Sequence, residues 1–291
     1  MKNVSLIIDT GKTASGQPYL TLGRCGLFSV RKTFDCGQTF RFNAIDENTV
    51  TGVAMNRHIT FSQSGETLTI IGAAESEYES TWKSYLTLDE DYAAANEAIL
   101  DAMPNDEYRQ TMQKAVEFGS GIRILRQDPF ETLISFIVSQ NNNIPRIRKI
   151  IAALCEKYGE NGMFPAPDAL ANASVDELYA LRTGFRAKYI RDAAVKVASG
   201  EVSLAEIAQC DDYDRCTEML CRINGVGPKV SSCVLLFGFH KTTAFPIDVW
   251  MKKSLARHFP DGFDPAPLGI HAGLCQQYLF YFERWNSGNT Q

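Results

Sequence analysis

The 291-residue chain has no apolar run approaching the roughly 18 to 20 residues that a membrane span requires. Its opening, Met1-Lys2-Asn3-Val4, begins no long apolar stretch ending in a small-residue cleavage site. These absences set the expectation of a soluble protein that stays in the cytoplasm. The chain also lacks an excess of positive charge. Its 29 Lys and Arg against 34 Asp and Glu leave a formal charge of −5, which argues against phosphate binding spread over the whole surface. A local basic face remains compatible with that balance, because acidic residues gather in 75–106 and 211–214, whereas Arg146, Arg148, Lys149, Arg182, Arg186, Lys188 and Arg191 fall elsewhere. None of the eight cysteines forms a CxxC spacing, and the tightest group, Cys210, Cys216 and Cys221, lacks a fourth ligand at iron–sulfur spacing. Reduced thiols and no metal are expected. There is no internal repeat and no low-complexity segment. The 45% of hydrophobic residues is enough for a sizeable core in one large or two ordinary domains.

From about Tyr19 to Gly72 short runs alternate apolar and polar β-formers, as in Thr49-Val50-Thr51-Gly52-Val53 and Thr67-Leu68-Thr69-Ile70-Ile71. They predict antiparallel strands joined by tight turns. Helical periodicity takes over from about Asp89, and the character of the chain changes near residue 115. Asp128-Pro129-Phe130-Glu131 predicts a helix start running to about Gln140, and Ser174-Val175-Asp176-Glu177 predicts a capping box. A helix is expected over Arg186 to Ala198, with Gly200 stopping it. The fold class is therefore α+β, with an antiparallel β domain over 1–115 and a helical region over 116–291.

The most informative stretch is Leu220-Cys221-Arg222-Ile223-Asn224-Gly225-Val226-Gly227-Pro228-Lys229-Val230, a helix, a tight turn and a second helix. Gly225 and Gly227 permit positive φ and close backbone approach, so the N–H groups around Val226 could face a phosphate. An ordinary helix–helix turn reads equally from this pattern. Lys229 sits in the first turn of the second helix, where a cation is unfavourable, and that placement with burial favours the neutral amine a nucleophile requires. Asp248, in Phe245-Pro246-Ile247-Asp248-Val249-Trp250, reads as the N-cap of a helix from Val249 to His258.

The segment from Gly225 to Asp248 resembles the catalytic element of helix-hairpin-helix glycosylases that use a lysine nucleophile and a downstream aspartate. Only Cys275 lies beyond Cys233, which sets aside the branches with four C-terminal cysteines and an iron–sulfur cluster. The resemblance to the 8-oxoguanine DNA glycosylase family extends over most of the chain. Phe34-Asp35-Cys36-Gly37-Gln38-Thr39-Phe40-Arg41 is similar to its N-terminal base-recognition strand, and Tyr85-Leu86-Thr87-Leu88-Asp89 to a later marker. Ser139-Gln140-Asn141-Asn142-Asn143-Ile144-Pro145-Arg146-Ile147 resembles its asparagine-rich loop, and Gly184-Phe185-Arg186-Ala187-Lys188-Tyr189 its DNA-wedging segment.

The resemblance implies a TATA-binding-protein-like N-terminal sheet followed by the glycosylase region, and excision of 8-oxoguanine opposite cytosine with strand cleavage through Lys229. Asp248 would stabilise charge on the sugar. The carbonyl of Gly37 would accept the N7 hydrogen that separates 8-oxoguanine from guanine; from the residues alone Gly37 also reads as a strand bulge. Gln276 would meet the Watson–Crick edge of the flipped base, with Phe280 and Cys233 on its faces, although the i, i+4 spacing alone reads Phe280 as core. Asn141, Arg146 and Arg186 would bond the unpaired cytosine, Phe185 would fill the vacated stack, and Gly225, Val226 and Gly227 would hold a phosphate. Three positions depart from the family's usual residues: Trp250 where His is common, Phe185 where Tyr is common, and Asn224 where Pro is common. The implied partner is double-stranded DNA containing an oxidised purine, bound by a monomer without cofactor, metal or iron–sulfur cluster; a prokaryotic, nucleoid-associated enzyme is expected. An alkylated-base glycosylase and a non-catalytic hairpin protein that only binds DNA remain as alternatives.

Overall fold

The computed structural model describes residues 6–286. They fall into two compact units. Unit 1 holds the described residues up to Gln38, then Phe42–Arg126 and those from Thr242 on; unit 2 holds Thr39–Arg41 and Gln127–Lys241.

Unit 1 is built on one antiparallel sheet in the order β1-β2-β6-β5-β4-β3, with β1 Leu6–Lys12, β2 Pro18–Gly23, β3 Phe42–Ala44, β4 Thr49–Ala54, β5 Arg57–Ser64 and β6 Thr67–Ile71. The period-2 alternation buries one face. Leu20, Leu22, Val50, Ile59, Phe61, Leu68 and Ile70 enter a core with Phe34, Trp82 and Tyr85, each large side chain contributing about 1.5–3 kcal/mol on burial. The β4–β5 turn is closed by Met55 and Asn56, both with positive φ, as a two-residue hairpin matched to strand twist requires. β1 lies outside the range in which alternation predicts strands. Its residues are almost all exposed, so no hydrophobic pattern marks it.

The similarity of residues 34–41 to a strand does not match the local structure. Phe34 and Asp35 instead end helix α1 (Val30–Asp35), whose N-cap Ser29 accepts from the Lys32 N–H, and Gly37 lies in the loop beyond it. The cap supplies the acceptor that starts the helix.

The compact units also divide differently from the expected cut at residue 115. Helices α2 (Tyr92–Asp101) and α3 (Asp106–Gly119) share unit 1 with the C-terminal helices α9 (Val249–His258) and α10 (Ala272–Asn286). α3 buries Tyr108, Met112, Ala115, Val116 and Gly119, one helical stripe. Tyr108 packs edge-on to Phe259 at 4.8 Å, and a Cβ on Gly119 would lie 2.5 Å from the Tyr278 ring. These contacts close only between segments more than a hundred residues apart.

Unit 2 is helical: α4 (Pro129–Ser139), α5 (Ile144–Tyr158), α6 (Ala187–Ala198), α7 (Tyr213–Cys221) and α8 (Pro228–Phe239) are its longer elements. The expected caps form, with Asp128 accepting from the Glu131 N–H and the Ser174–Glu177 box closed in both directions. α8 is buried from Val230 to Gly238 and stacks Phe237 on Phe136 of α4 at 5.4 Å. The short stretch Thr39–Arg41 is fastened here: Phe40 meets Phe136 edge-on at 5.8 Å, and Arg41 Nη1 donates to Glu131 Oε2 at 3.0 Å. Among the described residues no helix is long and apolar enough to cross a membrane.

Candidate active site and nucleic-acid interface

Unit 2 carries the hairpin. α7 ends at Cys221 and α8 begins at Pro228 with Gly227 as its N-cap, which brings no capping side chain to the leading N–H groups of the helix. Gly227 and Pro228 are exposed, so this positive helix end is open to an anion. Gly225 has φ +81°, and a Cβ there would lie 2.4 Å from the Tyr189 ring. Close approach is therefore needed against a neighbouring aromatic ring, a demand that spacing alone does not reveal. Gly225→Ala is expected to lower stability by about 1–3 kcal/mol, from left-handed strain and the clash with Tyr189. A urea midpoint unchanged from the wild type would show that the turn relaxes without cost.

Lys229 follows in the first turn of α8, half-buried, with Nζ 5.6 Å from the Phe136 ring centroid. Cys233 is one turn further along the same helix and 3% exposed. The remaining unit 2 residues form a connected series. Phe185 is half exposed, crosses Tyr189 edge-on at 6.0 Å, and has the Arg186 guanidinium 4.4 Å over its ring. Tyr189 in turn backs Gly225, so the wedge segment and the hairpin share one ring.

Arg186 is anchored within the fold. It is 2% exposed; Nη2 donates to the carbonyls of Gln140 and, at 2.9 Å, Asn141, Nε to Gln140 at 2.9 Å, and Nη1 to Thr183 at 3.1 Å. Four of its five N–H groups can thus be assigned to backbone, and it holds the asparagine-rich loop in place. Asn141 is exposed with φ +47°, and Asn143 caps α5 by accepting from the Arg146 N–H at 2.9 Å. Arg146 itself is exposed, with one long hydrogen bond to the Arg182 carbonyl at 3.4 Å.

Asn224, at the position where proline is common, has a use for its N–H. The backbone donates to Asp192 Oδ2 at 2.7 Å and the side-chain amide to Oδ1 at 2.9 Å, and Asp192 also pairs with Lys196 at 3.2 Å. Asp192 is thus a positioning residue for the turn. Its i, i+4 spacing to Lys196 is visible in sequence, but its partner 32 residues away is not.

Unit 1 carries the rest. Gly37 has φ +86°, and its loop is pinned by Gln38. That side chain, 1% exposed, donates to the carbonyls of Thr33 at 2.9 Å and Arg123 at 2.8 Å and accepts from the Leu125 N–H at 2.9 Å. Gln38 carries no sequence signal for this role beyond its place directly after Gly37. Burial pushes the neighbouring Cys36 thiol up to about 12, far from a reactive thiolate. Asp248 caps α9, Oδ1 accepting from the Met251 N–H at 2.8 Å. Trp250, where histidine is common, is half-buried with the Lys253 ammonium 5.4 Å over its ring. On α10, Gln276 is 4% exposed with Oε1 accepting from Gln277 at 3.2 Å, and Phe280 is half-buried rather than core.

Residues 25–133 match the family model "8-oxoguanine DNA glycosylase, N-terminal domain", and residues 134–268 match "HhH-GPD superfamily base excision DNA repair protein". A solved 8-oxoguanine glycosylase/lyase from Clostridium acetobutylicum, in complex with double-stranded DNA containing cytosine opposite 8-oxoG, is 33% identical. It superposes with a TM-score of 0.85 over 98% of this chain and 99% of that one. The chain belongs to the 8-oxoguanine DNA glycosylase family of the HhH-GPD superfamily. Family relatives in sequence include an N-glycosylase/DNA lyase of Saccharomyces cerevisiae, 38% identical over 158 residues, which are 48% of this chain and 42% of the yeast protein. A probable N-glycosylase/DNA lyase of Methanothermobacter thermautotrophicus is 31% identical over 212 residues, 60% of this chain and 67% of that protein. The matched segment therefore spans less than half of the yeast relative's own length.

Proposed function

We propose that this family member is a bifunctional 8-oxoguanine DNA glycosylase and lyase of base excision repair. The observation that carries the reading is Lys229 in the open first turn of α8, directly after the Gly225–Val226–Gly227 turn, in a chain of this family. A duplex phosphate seated on the turn's N–H groups would bring the strand to the amine. With the lesion extruded, Lys229 attacks C1′ as the glycosidic bond breaks and the base leaves with the electron pair. Asp248 stabilises positive charge on the sugar. The attached nitrogen gives up a proton and the C1′–O4′ bond breaks with its electron pair going to oxygen, opening the sugar to a Schiff base. Loss of a C2′ proton from that Schiff base expels the 3′ phosphate and cuts the strand. The Clostridium relative's complex with 8-oxoG opposite cytosine supports the substrate.

Base choice rests on a donor against an acceptor. The Gly37 carbonyl accepts the N7 hydrogen of 8-oxoguanine, whereas guanine presents a lone pair there, a mismatch costing about 1–3 kcal/mol when buried. Gln276 reads the Watson–Crick edge, and Phe280 and Cys233 pack on the base faces. On the opposite strand Asn141, Arg146 and Arg186 bond the cytosine, Arg186 also ordering the loop that carries Asn141, and Phe185 fills the gap. The protein's partner is double-stranded DNA, and a monomer is sufficient for the chemistry.

Borohydride added during reaction with an 8-oxoguanine:C duplex is expected to trap a covalent protein–DNA adduct; no adduct would exclude the lysine mechanism. Arg146→Ala is expected to reduce the preference for cytosine over adenine by roughly tenfold or more, from the loss of a base contact of about 1–3 kcal/mol. Binding to undamaged duplex should fall less. Equal single-turnover rates opposite C and A in the wild type would show that these residues do not read cytosine.

A further inference from the structure

Beside Arg146, unit 2 has a surface pocket of about 580 Å³ between the first turns of α5 and the segment 180–182. Arg146, Lys149 and Arg182 line it, all exposed, together with the α5 N-cap Asn143. None of the three cations has a carboxylate partner among the described residues. In a chain with a net charge of −5, three unpaired cations around one pocket are a local concentration of positive charge, to which the N-terminus of a 15-residue helix adds its own. The field reaches neighbours: burial first, and then the charge of Arg146, hold the Arg186 guanidinium below its ordinary value. Arg182 holds this place in a left-handed conformation, φ +63°, and its carbonyl accepts from Arg146 at 3.4 Å. The pocket wall is apolar at Ile150 and Ala153, which suits the deoxyribose faces between successive phosphates.

We propose that this pocket is a binding site for the phosphodiester backbone of the strand opposite the extruded base, held by Lys149 and Arg182. The inference rests on the glycosylase reading, because Arg146 is there the residue that meets the opposite base. A strand's backbone continues from the base it carries, so cations beside that residue meet phosphates of the same strand. Lys149 and Arg182 contact no reacting atom. They set the affinity and salt dependence of binding and leave the chemical step alone.

The test uses the full chain with Lys149→Ala and Arg182→Gly, singly and together; glycine suits the left-handed backbone at 182. Affinity for undamaged and 8-oxoguanine:C duplexes is measured over a salt series. Each lost phosphate contact is expected to reduce the slope of log K against log salt by about 0.9, so the double variant loses about 1.8. Single-turnover excision at saturating DNA should match the wild type. Methylphosphonates flanking the cytosine on the opposite strand should remove the same slope from the wild type and nothing further from the double variant. A wild-type slope in the double variant overturns the proposal, as does a methylphosphonate effect that simply adds to the double substitution. Calorimetric binding of inorganic phosphate, lost in the double variant while its DNA slope stays wild-type, assigns the pocket to a free anion and also overturns it. Failure of the underlying reading is seen separately, as a wild-type chain that excises no base and yields no borohydride-trapped adduct.

Discussion

Lys229→Gln is expected to abolish base excision and borohydride trapping while folding and duplex binding survive. Glutamine keeps most of the aliphatic stem but lacks the amine, which stands 5.6 Å from the Phe136 ring centroid, to attack C1′ or to form a Schiff base. Removing a nucleophile in other enzymes costs several orders of magnitude in turnover, so single-turnover excision should fall by at least about a thousandfold. Stability should change little, within about 1 kcal/mol, because Lys229 is half-buried and no hydrogen bond of the core depends on its ammonium. The amine's position at the open end of α8 also means that its loss removes one cation from beside the hairpin, so a modest weakening at low salt is expected. Adduct formed by the variant at the wild-type level would overturn the assignment. An alkylated-base glycosylase acting through an aspartate alone would retain its activity in this variant, and a protein that only binds DNA would have none to lose.

The second large effect is expected at Asp248, a helix cap to which the proposed mechanism gives a second job. Oδ1 caps α9 through the Met251 N–H at 2.8 Å, and in the proposed mechanism the carboxylate charge stabilises the oxocarbenium-like sugar. Asparagine is as good a cap as aspartate, so Asp248→Asn keeps the hydrogen bond and loses only the charge and its interaction with the helix end, about 0.3–1 kcal/mol. Asp248→Ala loses the cap as well, about 0.5–2 kcal/mol more. Excision should fall by at least about a hundredfold in both, the size typical of losing one electrostatic stabiliser at a reacting centre. The pair of variants is informative because stability separates them and turnover does not. Wild-type single-turnover excision by Asp248→Asn would leave this residue as a helix cap alone.

Much of the local structure was legible because its causes are local. Asp128-Pro129, Ser174 with Glu177, and Asp248 announce helix starts through acceptors placed within three residues of the N–H groups they satisfy. Alternation over Thr49–Ala54 and Thr67–Ile71 announces strands because one sheet face is core. The exposed edge strand Leu6–Lys12 and the helix Val30–Asp35 escaped, the first for want of a buried face and the second because its cap, Ser29, lies outside the motif that drew attention.

By itself the sequence determined the fold class and the family, since caps, periodicity and motif order are properties of short spans. Tertiary structure decided what each residue is free to do. Arg186 reads from sequence as a base contact, and the structure adds that it ties the carbonyls of Gln140 and Asn141 to its own segment. Gly225 reads as a phosphate cradle, yet its missing side chain also makes room for Tyr189. Asn224 reads as a departure from the common proline, and its N–H and amide both bond Asp192. The segment from Thr242 on reads as a continuation of the helical region, yet it belongs with the sheet-bearing unit. In each case a deciding partner lies tens of residues away or more. A hydrogen-bond donor or an apolar face has no preference among distant partners until the chain closes on one of them.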